Sequence, residues 1–255
     1  MHHFFVKPEQ IERVNASEQM ARIIGSDVNH AKNVLRIKPG EVLLISDGGG
    51  RNFLCKTVSV EDEQILAKVE AEEESRELPS RITLYQGLPK SDKMELIIQK
   101  AVELGVWKIV PVITKNTVVK LDKKKEEGKR KRWQMIAESA AKQSRRSVIP
   151  EISPVIALEE AFNNCPAYDF ALFAYENQEG MSETAKILEQ IGENQEIALF
   201  IGPEGGFSKE EGLAAKEAGL TPISLGRRIL RTETAGLALL SVLMVQLEIK
   251  ERKRE

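Results

Sequence analysis

The chain has 255 residues, 42% apolar and 30% charged, with a formal net charge of −2. That balance excludes a disordered polyelectrolyte, and the length suits two modest domains, each with its own core. The longest apolar run, residues 235–245, reaches roughly 16 Å as a helix at about 1.5 Å per residue, short of the ~30 Å of a bilayer core. The start, MHHFFVKP, has no cationic stretch leading into an apolar one. A cytoplasmic protein with no membrane segment is therefore expected. Cys55 and Cys165, the only cysteines, are far apart and read as reduced and structural. His2, His3 and His30 stand outside any Cys-x-x-Cys or His-Glu-x-x-His pattern, so no metal is expected.

In chain order, short β-like runs at residues 3–6, 41–46, 53–60 and 64–69 predict a small barrel, with a hairpin turn at Asp47-Gly48-Gly49-Gly50. A short helix over residues 29–36 would expose His30, Lys32 and Arg36. Residues 61–77 carry eight acidic and two basic side chains and run into Leu78-Pro79-Ser80, which reads as a linker. The domain boundary is expected near residues 71–79, giving domains 1–72 and 73–255.

Beyond it strands and helices alternate, the pattern of a parallel sheet with crossover helices. Residues 81–85 read as a strand. Asp92 with Glu95 forms a capping-box pattern for a helix ending near Gly105, and residues 106–112 and 170–174 read as further strands. The latter ends at Tyr175-Glu176-Asn177, a candidate ligand-facing edge. Between Lys115 and Arg146 there are twelve basic residues against four acidic ones. On the helix expected there, Trp133, Ile136, Ala137, Ala140 and Ala141 form an apolar stripe, leaving Lys129, Arg132, Lys142, Arg145 and Arg146 to face outward. Such a local field suits a polyanion; a solvated helix face is the plainer alternative.

Residues 197–201 form an apolar strand that breaks at Gly202-Pro203-Glu204-Gly205-Gly206, followed by a capping box at Ser208 and Glu211 and a helix stopping near Gly219. Residues 222–225 repeat the strand, Gly226 to Arg231 the loop, and Thr232 is placed to cap a long apolar helix through Leu247. Glycine-bearing loops at strand carboxyl ends are where open α/β sheets bind ligands. Neither loop has the spacing of a P-loop or a G-x-G-x-x-G fingerprint.

The segments GPEGGFS at 202–208 and LGRRILRTETA at 225–235 resemble the bacterial methyltransferase family that modifies N3 of a uridine in 16S ribosomal RNA. The resemblance extends through His3-Phe-Phe-Val, His30-Ala-Lys-Asn-Val-Leu-Arg and residues 97–105, so it spans nearly the whole chain. It implies an α/β fold: a knotted (SPOUT-type) parallel-sheet methyltransferase domain preceded by a PUA-like, RNA-binding β-barrel. It implies S-adenosylmethionine as methyl donor, 16S rRNA within the small ribosomal subunit as partner, and a homodimer. By motif match the cofactor falls to Leu172, Phe173, Gly202, Glu204, Gly205, Gly206, Leu225, Gly226, Ile229 and Leu230. Arg231, with Arg228 second, is the candidate to stabilise the uracil anion, because a guanidinium stays charged and can fork onto carbonyl oxygens. Glu204 and Glu233 are the candidate bases, although a carboxylate in the first turn of a helix, as Glu233 would be, is also favoured by the dipole alone. RNA contacts are expected from His30, Lys32, Arg36, Lys129, Arg132, Lys142, Arg145 and Arg146. A non-catalytic RNA-binding assembly factor is the rival reading.

Overall fold

In the computed structural model, which describes residues 1–252 except 17, 91, 120, 121, 177 and 179, the chain divides into two compact units. Met1–Glu77 with Ala141–Ile149 form the first, and Leu78–Ala140 with Pro150–Glu255 the second.

The first unit is a six-stranded sheet built from β1 (His2–Phe5), β2 (Ile11–Asn15), β3 (Glu18–Ile24), β4 (Val42–Ser46), β5 (Asn52–Val60) and β6 (Gln64–Glu73). Its order is β1-β4-β5-β6-β3-β2; β1 runs parallel to β4 and every other pairing is antiparallel. The expected hairpin joins β4 to β5, and the Asp47 carboxylate accepts from the Gly49 and Arg51 amides at 2.8 and 3.1 Å. Phe4, Ile23, Leu43, Ile45, Phe53 and Ile65 form the core.

The acidic stretch expected to be a linker is largely strand. In β6, Ile65 and Ala67 point inward, the period-two pattern of a strand with one buried face. Glu70 and Glu72 stay outside, and Glu72 takes a two-pronged bond from Arg51 at 2.7 Å. The helix expected over 29–36 is α1 (Ser26–Asn29) continued by one π-helical turn, His30–Val34.

Arg146, expected to face outward, is buried. The helix expected to carry it ends at Ser144, and at Arg145, whose φ is 58°, the chain turns back into the unit. Arg146 is 3% exposed and its guanidinium Nε lies 3.0 Å from Glu77, whose carboxylate also accepts from the Ser147 and Val148 amides at 2.9 and 3.2 Å. A buried cation must be paired, so this arginine is structural rather than outward-facing. Nearby, His3 Nδ1 donates to the Lys142 carbonyl at 3.1 Å and Nε2 meets the Ser46 hydroxyl at 2.7 Å. Burial pulls the His3 pKa down to about 4, against the backbone hydrogen bond to Lys142, which raises it.

The second unit alternates as expected. Its elements are β7 (Arg81–Gly87), α2 (Lys93–Glu103), β8 (Lys108–Ile113), α3 (Lys123–Ser144, whose last turn belongs to the first unit), β9 (Glu151–Ile152), β10 (Ile156–Ala157) and α4 (Leu158–Asn163). They continue with β11 (Phe170–Ala174), α5 (Ser182–Gln190), β12 (Glu196–Ile201), α6 (Lys209–Glu217), β13 (Thr221–Ile223) and α7 (Thr232–Arg252). All pairings are parallel in the order β10-β8-β7-β12-β11-β13, with β9 also on β8. Strands β12 and β11 read as near-continuous apolar runs, and β7 between β8 and β12 also buries Thr83 and Gln86.

The caps divide. Ser208 and Glu211 make the reciprocal box, at 3.2 and 2.7 Å. Asp92 is the N-cap of α2, but its side chain makes no cap bond; the Glu95 amide bonds the Asp92 carbonyl instead, and the Glu95 carboxylate faces Arg132 at 2.7 Å. Helix α7 is longer than its apolar run suggests, and by length and composition it could cross a membrane. Leu239, Leu240, Leu243 and Leu247 are buried, and the helix packs on α2 and β12.

Candidate functional site

Strand order dictates where a site can form. Chain direction is common to all strands of the second sheet, so the carboxyl ends of β12, β11 and β13 open side by side. There they surround a cavity of about 410 Å³, within the range of small-molecule sites. Ala174, Tyr175 and Glu176 supply the wall after β11, and Gly202, Pro203, Glu204, Gly206 and Phe207 the wall after β12. The segment from Ile223 to Arg231 supplies the third, with Thr232 and Ala235 of α7 and Lys93 of α2 completing it. Two glycines make this possible. A Cβ on Gly87 would sit 2.6 Å from the Pro203 nitrogen, so only glycine lets the end of β7 meet the loop; Gly206 has φ +63°.

The loop after β12 is fixed from three sides. The Glu204 carboxylate accepts from the Lys90 amide at 3.1 and 3.3 Å and pairs with Lys93 at 3.0 Å, and Lys93 reaches Glu233 at 3.3 Å. Asn116, just beyond β8, donates to the Gly205 and Gly206 carbonyls at 2.9 and 3.2 Å. The Thr232 hydroxyl donates to the Gly202 carbonyl at 2.6 Å and accepts from Gln86 at 2.9 Å. Sequence pattern makes Thr232 a cap for α7; its hydroxyl instead stitches the helix start to the glycine loop.

Burial pushes the Glu204 carboxyl upward, but its own backbone amide, Lys93 and the Lys90 amide together hold it below the ordinary carboxylate range. A carboxylate so engaged is a poor proton acceptor, and its evident task is anchoring. Arg227, Arg228 and Arg231 differ: all three line the cavity, and among the described residues none of their guanidiniums has an ion pair or hydrogen bond. Three uncompensated guanidiniums at one mouth are an anion-binding arrangement.

Of the residues expected to hold a cofactor, Gly202, Glu204, Gly206, Leu225, Gly226, Ile229 and Leu230 line the cavity. Leu172 and Phe173 do not. Both are fully buried in β11, and the edge begins one residue later at Ala174. Gly205 is turned toward Asn116, and Glu233 stands behind Lys93. Asn177 lies outside the described residues. Sequence reasoning misses Lys93 and Asn116; the one signal for them is that each follows a strand end of the same sheet.

The candidate RNA-contacting residues are scattered in character. His30 and Arg36 are exposed, and Lys32 pairs with Asp62. On α3, Lys129 lies 5.9 Å over the Trp133 ring and Arg132 pairs with Glu95, with Trp133 itself buried in the stripe as expected. Lys142 pairs with Asp27 at 3.3 Å.

Comparison with known proteins follows the same division. The RNA methyltransferase domain family matches residues 76–244, and the RNA methyltransferase PUA domain family matches residues 23–70. Ribosomal RNA small subunit methyltransferase E of Bacillus subtilis is 36% identical over 231 residues, covering 89% of this chain and 90% of that protein. The protein of that name from Mesomycoplasma hyopneumoniae is 32% identical, covering 94% and 98%. A crystal structure of the Neisseria gonorrhoeae enzyme of that name, bound to S-adenosyl methionine, superposes with a TM-score of 0.83 at 31% identity, covering 97% of this chain and 98% of that one.

Proposed function

We propose, from the premise that this chain belongs to the RNA methyltransferase family, that it transfers a methyl group from S-adenosylmethionine to N3 of a uridine in 16S rRNA of the small subunit. The observation that carries this reading is the backbone-lined cavity with three unpaired arginines at its mouth. A cavity of about 410 Å³ walled by Gly202, Gly206 and Gly226 fits a nucleoside-bearing ligand, because amides and carbonyls can approach it without intervening side chains. The bound cofactor would supply an activated methyl group.

The protein's own residues then have two tasks. The three-sided anchoring of the glycine loop keeps the cavity wall in register, so that bound groups meet in line. Arg231, assisted by Arg228, stabilises the negative charge that develops on the uracil carbonyl oxygens once N3 loses its proton. Glu204 serves the loop. Glu233, which Lys93 also reaches, is left as the carboxylate proposed to receive the proton.

Exposed basic residues on α3, among them Lys124 and Lys129, supply non-specific attraction to RNA phosphates. A second copy of the chain is the expected partner for α7, where Val242, Val245 and Ile249 are each about half exposed. A chain path threaded as a knot, and a cytoplasmic location where ribosomes are assembled, complete the reading. A purely RNA-binding factor would have no use for the cavity. Mapping methylated nucleotides in small-subunit rRNA from cells with and without this protein tests it: loss of one N3-methyluridine is expected, and an unchanged map contradicts it.

A further inference from the structure

Six charged side chains line the cavity. Lys93 and Glu204 neutralise one another, and the three arginines suit anions. Glu176 is left over. It stands two residues beyond β11, and among the described residues it has no hydrogen bond or ion pair, even with three guanidiniums in the same cavity. Its Oε2 lies 3.6 Å from where Gly206 would carry a Cβ, so the carboxylate reaches from the β11 edge toward the glycine loop, beside a residue with no side chain to meet it.

A carboxylate has only acceptor sites. When a ligand fills the cavity and displaces water, an unpartnered carboxylate is costly unless that ligand brings donors. The cofactor proposed above brings three sets, the adenine amino group, the ribose hydroxyls and the methionyl ammonium. We infer that Glu176 recognises S-adenosylmethionine by accepting hydrogen bonds from these donor groups, while the arginines are left to the anionic substrate. This rests on the reading of the cavity as the cofactor site.

Calorimetric titration of the full chain and its Glu176→Gln variant, with S-adenosylmethionine and with 5′-methylthioadenosine, tests it. The second ligand keeps the ribose but lacks the ammonium. The variant should bind S-adenosylmethionine about tenfold more weakly or worse, the loss expected for a charge-assisted bond, with KM raised and kcat unchanged. An equal loss with 5′-methylthioadenosine assigns the contact to the donors of the adenosine half, and a loss confined to S-adenosylmethionine assigns it to the cationic methionine half. Glu176→Asp, which keeps the charge, should recover part of the affinity. Glutamine binding within about twofold of wild type overturns the role of Glu176. Absence of heat with wild type overturns the cofactor reading itself, and this inference with it.

Discussion

Lys93 and Glu204 stand 3.0 Å apart, joining the first residue of α2 to the loop that closes β12. The pair lies at the cavity wall, and Glu233 of α7 shares the same ammonium at 3.3 Å. One cation thus holds two carboxylates from two other elements.

Replacing Lys93 by Met should loosen the glycine loop and leave the two carboxylates facing each other without a counterion. Titration should show S-adenosylmethionine affinity reduced several-fold with the fold retained. The pH dependence has a definite sign. The Glu204 pKa is depressed in the folded state, so its ionised form contributes stability above about pH 4.5, which is lost as pH falls through the lower folded value. Unfolding midpoints between pH 6 and 3 should therefore fall less steeply in Lys93→Met than in wild type.

Thr232→Val removes a 5%-exposed hydroxyl that bridges Gln86 and the Gly202 carbonyl. The buried Gln86 amide and the half-buried Gly202 carbonyl would each lose a partner, so a destabilisation of about 1–3 kcal/mol is expected in urea unfolding. Cofactor affinity should drop as well, because the same bond fixes the glycine loop to α7. Unchanged stability would mean that the bridge is dispensable.

In the first unit, His3 has a folded pKa of about 4 against 6.5. A histidine depressed by burial is neutral when folded, so the unfolded chain binds the extra proton between those values. Stability should fall as pH drops from 6.5 towards 4, by up to about 1.4 kcal/mol per pH unit, and level off below. His3→Gln should flatten that slope, measured by urea unfolding across the same range.

Lys124→Ala with Lys129→Ala should weaken RNA binding without altering the free cofactor's affinity. The slope of log affinity against log salt should shrink by about 0.7 for each phosphate that is no longer neutralised. An unchanged slope would assign this face of α3 to solvent.

Much of the second unit is legible in the sequence because its strands are buried on both faces. Residues 170–174 and 197–201 contain no polar interruption, and the Ser208–Glu211 box is a purely local pattern. The first unit reads less completely. Strand β2 is almost wholly exposed, Val14 included, so it carries no alternation, and β3 alternates only at Ala21 and Ile23. Arg146 looks outward only if helical spacing is continued past Arg145, where a left-handed residue ends the helix. At the cavity, the glycine and arginine loops are contiguous motifs. Lys93 and Asn116 lie roughly a hundred residues away, and only the order β8-β7-β12 brings them to the same loop.

The account stands most directly on Arg231, measured by single-turnover methyl transfer to small-subunit RNA alongside calorimetric titration of the cofactor. Arg231→Ala should slow transfer by about 10²-fold or more, the cost of losing an oxyanion-stabilising group, while S-adenosylmethionine binds within a few fold of wild type. A variant that transfers methyl at the wild-type rate would contradict the proposed role of the arginine loop.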